Sequence, residues 1–190
     1  SSVTVNVQNP SSGGITREVS NGKFQMPSSS FTYSLPSTAT DLGNAVLYYA
    51  FKGCTTLTSV DFSSLTKVTG YNAMYGAFQD CTGITSVDLS NVTEINNGYA
   101  MTYAFKGCSN LTTLDLSSLV LIGGDNINTV MYGAFENCTS LSSIDLSSLK
   151  EIRYNGLSTV FKGCTSLTSV TFDSLVTLKM SRSLNQAFRG

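Results

Sequence analysis

Four aspartates recur at one place in a repeating phrase, Asp61, Asp88, Asp115 and Asp145, with Thr171 at that place in the next copy. Hydroxyl residues flank them two positions away on either side: Ser59 and Ser63, Ser86 and Ser90, Thr113 and Ser117, Ser143 and Ser147. If the copies stack, neighbouring carboxylates stand about 5 Å apart and repel by up to roughly 1 kcal/mol in water. Such a row suits a cation such as calcium, held by carboxylate and hydroxyl oxygens. It also suits a retaining glycosidase, whose two carboxyls lie at about this separation, or a solvated face satisfied by hydroxyls and backbone donors. No loop with calcium-binding spacing is present. A flat or convex strand face gives no pocket that would raise one pKa, and a regular repeat supplies no unique acid. The solvated face is the preferred reading. The twelve residues named above, from Ser59 to Ser147, are then exposed strand-face positions and candidates for contact with a ligand. No catalytic residue is expected.

Five cysteines, Cys54, Cys81, Cys108, Cys138 and Cys164, also occupy one equivalent position, at separations of 27, 27, 30 and 26 residues. Stacking sets their Cβ vectors parallel, whereas a disulfide wants Cβ atoms about 3.8 Å apart. Without His or a C-x-x-C pair, zinc would need four coils in a line to form a tetrahedron. Five free, buried thiols are expected, with no disulfide, metal or cofactor. Tyrosines gather just before the cysteines, at Tyr48, Tyr49, Tyr75, Tyr103 and Tyr132, with Tyr71, Tyr99 and Tyr154 in the variable stretch ahead of them. They either cover apolar seams between coils, the preferred reading, or form a second contact surface. Asn91, Asn110 and Asn137 begin N-x-[ST] phrases to which no role is assigned.

Composition narrows the chemistry further. The chain has 190 residues, a formal net charge of -1, 12% charged residues and no His. Ser-His and Cys-His catalysis and imidazole metal sites are excluded. The few basic residues supply no footprint for nucleic acid or an anionic membrane. No apolar run approaches the roughly 20 residues a membrane helix needs. A surface this poor in charge is built from Ser, Thr, Asn and Gly, which suits an extracellular binding surface.

The elements that position these residues come from the repeat itself. Ala50-Phe51-Lys52-Gly53-Cys54 returns as Ala77–Cys81, Ala104–Cys108, Ala134–Cys138 and Val160–Cys164, and Ala187-Phe188-Arg189-Gly190 begins a sixth copy. That copy stops one residue before its cysteine, as expected of a piece cut from a longer array. A period of 20 to 50 residues signals stacked supersecondary units. After each cysteine, apolar residues follow at offsets 3, 6, 8, 11 and 14, as in Leu57, Val60, Phe62, Leu65 and Val68. Val60-Asp61-Phe62 alternates with period two, predicting one short parallel strand per repeat. Before each cysteine, Met74, Ala77, Phe78 and Cys81 stand at i, i+3, i+4 and i+7, predicting a short helix. Gly53, Asp80, Gly107, Asn137 and Gly163 would end it in the left-handed region. Residues 1–44 lie outside the repeat. Val3-Val5-Val7, Phe24–Met26 and Phe31–Leu35 read as strands, and Pro10–Gly14 and Pro27–Ser30 as turns between them. The segment is expected to be a β-rich cap on a 45–190 array of five full repeats and the start of a sixth.

The phrase Leu57-x-x-Val60-x-Phe62 and its successors resemble leucine-rich repeats, and Ala-Phe-x-x-Cys resembles the BspA-like branch found on surface proteins of bacteria and some mucosal protists. The resemblance runs from about residue 45 to 190. It departs at Leu65, Val92, Leu119, Leu149 and Leu175, where the common pattern has Asn or Cys. It departs again at Ser63, Ser90, Ser117, Ser147 and Asp173, where this branch often has Pro. The fold expected is α/β, a leucine-rich-repeat solenoid curved as a right-handed coil. The resemblance implies a cell-surface or secreted, non-enzymatic adhesion module whose partner is an extracellular protein or glycan. The alternative is a spacer or stalk in a larger surface protein.

Overall fold

A computed structural model describes residues 3–6, 29–124, 129–153, 156–179 and 184–189. The expected strand at Phe24–Met26, the turn at Pro10–Gly14, the centre of the long Gly123–Val130 stretch and Tyr154 fall outside the described residues. Two parallel sheets run through the stack. One orders β1 (Val3–Asn6), β2 (Phe31–Ser34), β4 (Leu57–Asp61), β6 (Ser86–Asp88), β8 (Thr113–Asp115), β10 (Ser143–Asp145) and β12 (Ser169–Thr171) side by side. The other orders β3 (Asp41–Leu42), β5 (Lys67–Val68), β7 (Glu94–Ile95), β9 (Leu121–Ile122), β11 (Glu151–Ile152) and β13 (Thr177–Leu178). Each coil therefore gives two strands rather than the one expected. The second is two residues long, too short for an alternation to register, although its apolar member is the expected offset-14 residue.

The helix is a larger correction. Among the described residues there is no helix, so the solenoid is parallel β rather than α/β. Residues 70–81 form a ribbon of successive turns. The amides of Asn72, Met74, Gly76, Phe78 and Asp80 leave their coil and donate to Gly98, Ala100, Thr102, Ala104 and Lys106 carbonyls at 2.7–3.0 Å. The intervening amides of Ala73, Tyr75, Ala77, Gln79 and Cys81 donate three residues back within the coil. Every fourth residue takes positive φ, at Asn72 (55°), Gly76 (57°) and Asp80 (61°). Side chains then point two inward and two outward, a period of four. Over two turns that period and the 3.6 of a helix place the same residues inside. What decides is the backbone: stacked coils offer a carbonyl at every second amide, and the amides take it instead of the one four residues back. The residue before each cysteine is left-handed as expected, but as the last step of the ribbon rather than a helix end.

Packing follows from this register. Phe51, Phe78, Phe105, Phe135, Phe161 and Phe188 stack ring on ring at 5.1–5.8 Å and within 17° of parallel. Tyr33 meets the head of the stack, 4.6 Å from Phe51. Leu57, Val60, Phe62, Leu65 and Val68 are buried, as are their equivalents through Ile152. Leu65 and its equivalents fill apolar space, so no Asn ladder is needed there. Both ends of the ribbon seal a single core.

Candidate binding face

Register turns the repeated Asp into a physical row. Ser34 pairs with Asp61, Asp88 with Asp115, Asp115 with Asp145, and Asp145 with Thr171. Val60 opposite Val87 brings Asp61 beside Asp88. A hydroxyl row runs parallel to it, with Thr32 beside Ser59, Ser86 beside Thr113 and Ser143 beside Ser169. The period-two pattern puts Val87, Leu114 and Ile144 inward and these residues outward. Of the twelve candidates, Asp61, Ser63, Ser86, Asp88, Thr113, Asp115, Ser143 and Asp145 are exposed, and Ser59, Ser90, Ser117 and Ser147 are half-buried. Thr32, Ser34 and Ser169 extend the rows and were not among the candidates. The Phe31-Thr32-Tyr33-Ser34 alternation held that signal.

Each aspartate ends its strand in the same way. Oδ1 of Asp61, Asp88, Asp115 and Asp145 accepts the backbone N–H of Ser63, Ser90, Ser117 and Ser147 at 2.8–2.9 Å. This Asx turn explains the departure from Pro, which has no N–H to give. The Ser90 hydroxyl, then its N–H, holds the Asp88 carboxyl below the ordinary carboxylate range, and Ser147 does the same for Asp145. One oxygen of each carboxylate in the row is thus tied to the backbone. Among the described residues no three Cys, Asp or Glu converge so as to hold a metal ion.

The face is not flat or convex as expected. A trough of about 650 Å³ runs across three coils, floored by Val87 and Leu114 and lined by Ser86, Asp88, Thr113, Asp115, Ser117, Ser143 and Asp145. Seven of the twelve candidates thus line one concavity, which has no cation on its walls. A trough belongs to the way several coils stack, and the pattern of one repeat does not contain it.

The sequence pattern of the BspA type leucine rich repeat region, in six copies, matches residues 17–156 and 75–187. The chain belongs to this family. No curated protein matches it. Among solved structures it is similar to a leucine rich cell surface protein from Faecalibacterium prausnitzii, at 21% identity and a TM-score of 0.42, over 91% of this chain and 51% of that one. A leucine-rich repeat protein from Bacteroides ovatus is similar at 15% identity and a TM-score of 0.24, over 97% and 73%. The chain spans about half the length of the Faecalibacterium protein.

Two further rows complete this BspA-type coil. The five cysteines are free and buried. The thiols of Cys81, Cys108, Cys138 and Cys164 donate to the Phe51, Phe78, Phe105 and Phe135 carbonyls at 2.9–3.2 Å, tying each ribbon end to the preceding coil. Burial pushes these thiols up, that of Cys164 to about 11. The tyrosines of the ribbon form a continuous ridge. Tyr48–Tyr75, Tyr75–Tyr103 and Tyr103–Tyr132 centroids lie 5.5, 6.0 and 5.5 Å apart, and Tyr71–Tyr99 5.9 Å apart. The Tyr49, Tyr75, Tyr103 and Tyr132 side chains are half-buried in the seams, while Tyr48, Tyr71 and Tyr99 are 48%, 49% and 37% exposed. Burial, then the neighbouring Tyr49, pushes the Tyr75 phenol up to about 12. The half-buried members cover seams between coils as expected, and Tyr48, Tyr71 and Tyr99 stay exposed on the ridge.

Proposed function

We propose that the chain is a non-enzymatic binding module of a cell-surface or secreted protein, and that it presents the strand face to a donor-rich protein or glycan. The trough carries this reading. Its walls offer carboxylate and hydroxyl oxygens in rows one coil apart, its floor is apolar, and it holds no competing cation. Such a surface suits shallow, repeated polar contacts rather than one deep pocket. Surface location rests on what the family implies and on the hydroxyl-rich, charge-poor composition. Residues 1–44 serve to shield the first coil of the 45–190 array, a role supported by the pairing of β1 with β2 and of β2 with β4.

Hydrolysis is the weaker use of the same carboxylates. A retaining glycosidase needs one acid that keeps its proton at working pH. Asp88 and Asp145 are instead held ionised by their serines. A spacer role draws on the unbroken phenylalanine stack, which makes the array a stiff element. Glycan and extracellular-protein arrays probed with the wild type and with Asp88→Asn/Asp115→Asn/Asp145→Asn separate these readings, because Asn keeps the turn acceptor and removes the charge. A ligand whose binding falls at least tenfold in the variant supports recognition by the trough. Absence of any ligand, or binding indifferent to the variant, contradicts it and leaves the spacer.

A further inference from the structure

The tyrosine ridge lies on the ribbon side of the coil, apart from the aspartate trough, and it is built into the stack rather than scattered over it. Where one coil has Tyr49 or Tyr103 at the left-handed ribbon position, the next has Gly76 or Gly133. A Cβ at Gly133 would sit 2.8 Å from Cε1 of Tyr103, and one at Gly76 would run into the Tyr49 ring. Tyr49, Tyr99 and Tyr103 hold φ of 50°, 57° and 54°, a region that bulky side chains seldom enter. The ribbon imposes this left-handed position on every coil, at Thr159 and Gln186 as well, so the tyrosine rings are held in place by the architecture.

Charge complements the rings. Among the described residues of the ribbons, Lys106 and Lys162 share the Glu136 carboxylate at 3.0 and 3.2 Å, while Lys52 and Arg189 are exposed cations and Asp80 an exposed carboxylate, so the ribbon side keeps a positive balance centred on Lys52. Lys52 Nζ lies 5.1 Å from the centre of the Tyr49 ring and Lys106 Nζ 4.8 Å from that of Tyr103. The charged groups lining the trough on the other side are all carboxylates, so an anion is repelled there and favoured beside Lys52 on the ridge.

We infer that the ridge is a second binding surface, and that it takes an acidic polysaccharide. A pyranose has an apolar C–H face for an aromatic ring and hydroxyl edges for phenols, and its length is close to the step of one ring per coil, 5.5–6.0 Å. Its carboxylates reach the exposed Lys52. An extended peptide repeats its side-chain direction every two residues, about 6.8 Å, and wants pockets for them. Nucleotides step by about 3.4 Å along a strand, well short of the ring spacing.

The test is isothermal titration calorimetry of the whole chain with a galacturonate hexamer, with cellohexaose as the neutral counterpart and with an oligo(dT) and a poly-glutamate peptide as other polyanions. The chain has no Trp, so its tyrosine fluorescence reports the same event. Saturable galacturonate binding is expected, at least tenfold tighter than any of the other three. The Tyr48→Ser/Tyr71→Ser/Tyr99→Ser variant should lose at least tenfold. Lys52→Ala, a change at an exposed side chain, should lose about threefold and show a shallower salt dependence, which keeps the test open if the triple variant does not fold. Asp88→Asn/Asp115→Asn/Asp145→Asn should bind galacturonate within twofold of the wild type, so failure here and failure of the trough are separate results. No saturable galacturonate binding, equal or tighter binding of another probe, or indifference to Lys52→Ala and the tyrosine changes overturns the inference.

Discussion

The ribbon side and the strand side of each coil join it to its neighbours in opposite ways. Along the ribbon every second amide crosses to the next coil and the amides between close turns at home, so ten residues in a row are paired without a strand or a helix. Along β6, β8 and β10 only three residues pair, and the period of two sends alternate side chains to water. The ribbon buries two neighbours out of every four and anchors the phenylalanine stack. The strand buries one in two and leaves a polar row. The buried stack thus lies where the backbone is most unusual, and the strand face is left polar and open to solvent.

Phe105→Ala strikes this contrast hardest. Phe105 is fully buried between two stacked rings, and its loss should cost about 3 to 5 kcal/mol in urea unfolding. A cost under about 1 kcal/mol would move the stabilising role away from the ribbon. Gly76→Ala comes next. Its φ of +57° and its approach to the Tyr49 ring should together cost about 2 kcal/mol. Tyr49→Ser in the same chain should return part of that loss, and strict additivity of the two changes would deny the contact.

The two sides also part in how they titrate. The ribbon thiols have folded pKa values above the ordinary thiol, so the folded state keeps protons that the unfolded chain gives up. Stability from this source is whole below about pH 9 and declines as pH rises above it. For Cys164 the decline runs between 9.0 and about 11. Cys164 should be the first of the thiols in that row to react with a maleimide, and prompt reaction of Cys108 at pH 8 in the folded chain would contradict its burial. On the strand side, Asp88 is depressed, so its contribution is present above the ordinary carboxylate pKa and fades as pH falls through the lower folded value. Asp88→Asn, smallest of all, should change stability by no more than about 0.5 kcal/mol, since the amide oxygen still accepts the Ser90 N–H. A larger loss would give the charge a structural role.

Much of this contrast was legible in the residues. Val60-Asp61-Phe62 announced a strand because an alternation of period two has no competitor over three residues. The cysteines announced buried thiols because equivalent positions in a stack cannot turn toward one another. Met74, Ala77, Phe78 and Cys81 misled, because one and a half turns cannot separate a period of 3.6 from one of four, and the deciding carbonyls belong to another coil. Lys67-Val68 was silent for the same reason of length. Of the candidate face, the rows could be read from one repeat, whereas the trough needed three coils and the tyrosine–glycine alternation needed two.

The ribbon is the claim on which the rest depends, and scalar couplings across hydrogen bonds in the isotope-labelled chain test it most directly. The account predicts couplings from the Met74, Gly76 and Phe78 nitrogens to the carbonyl carbons of Ala100, Thr102 and Ala104. Coupling of the Phe78 nitrogen to the Met74 carbonyl carbon, four residues back, would make the segment a helix and contradict it.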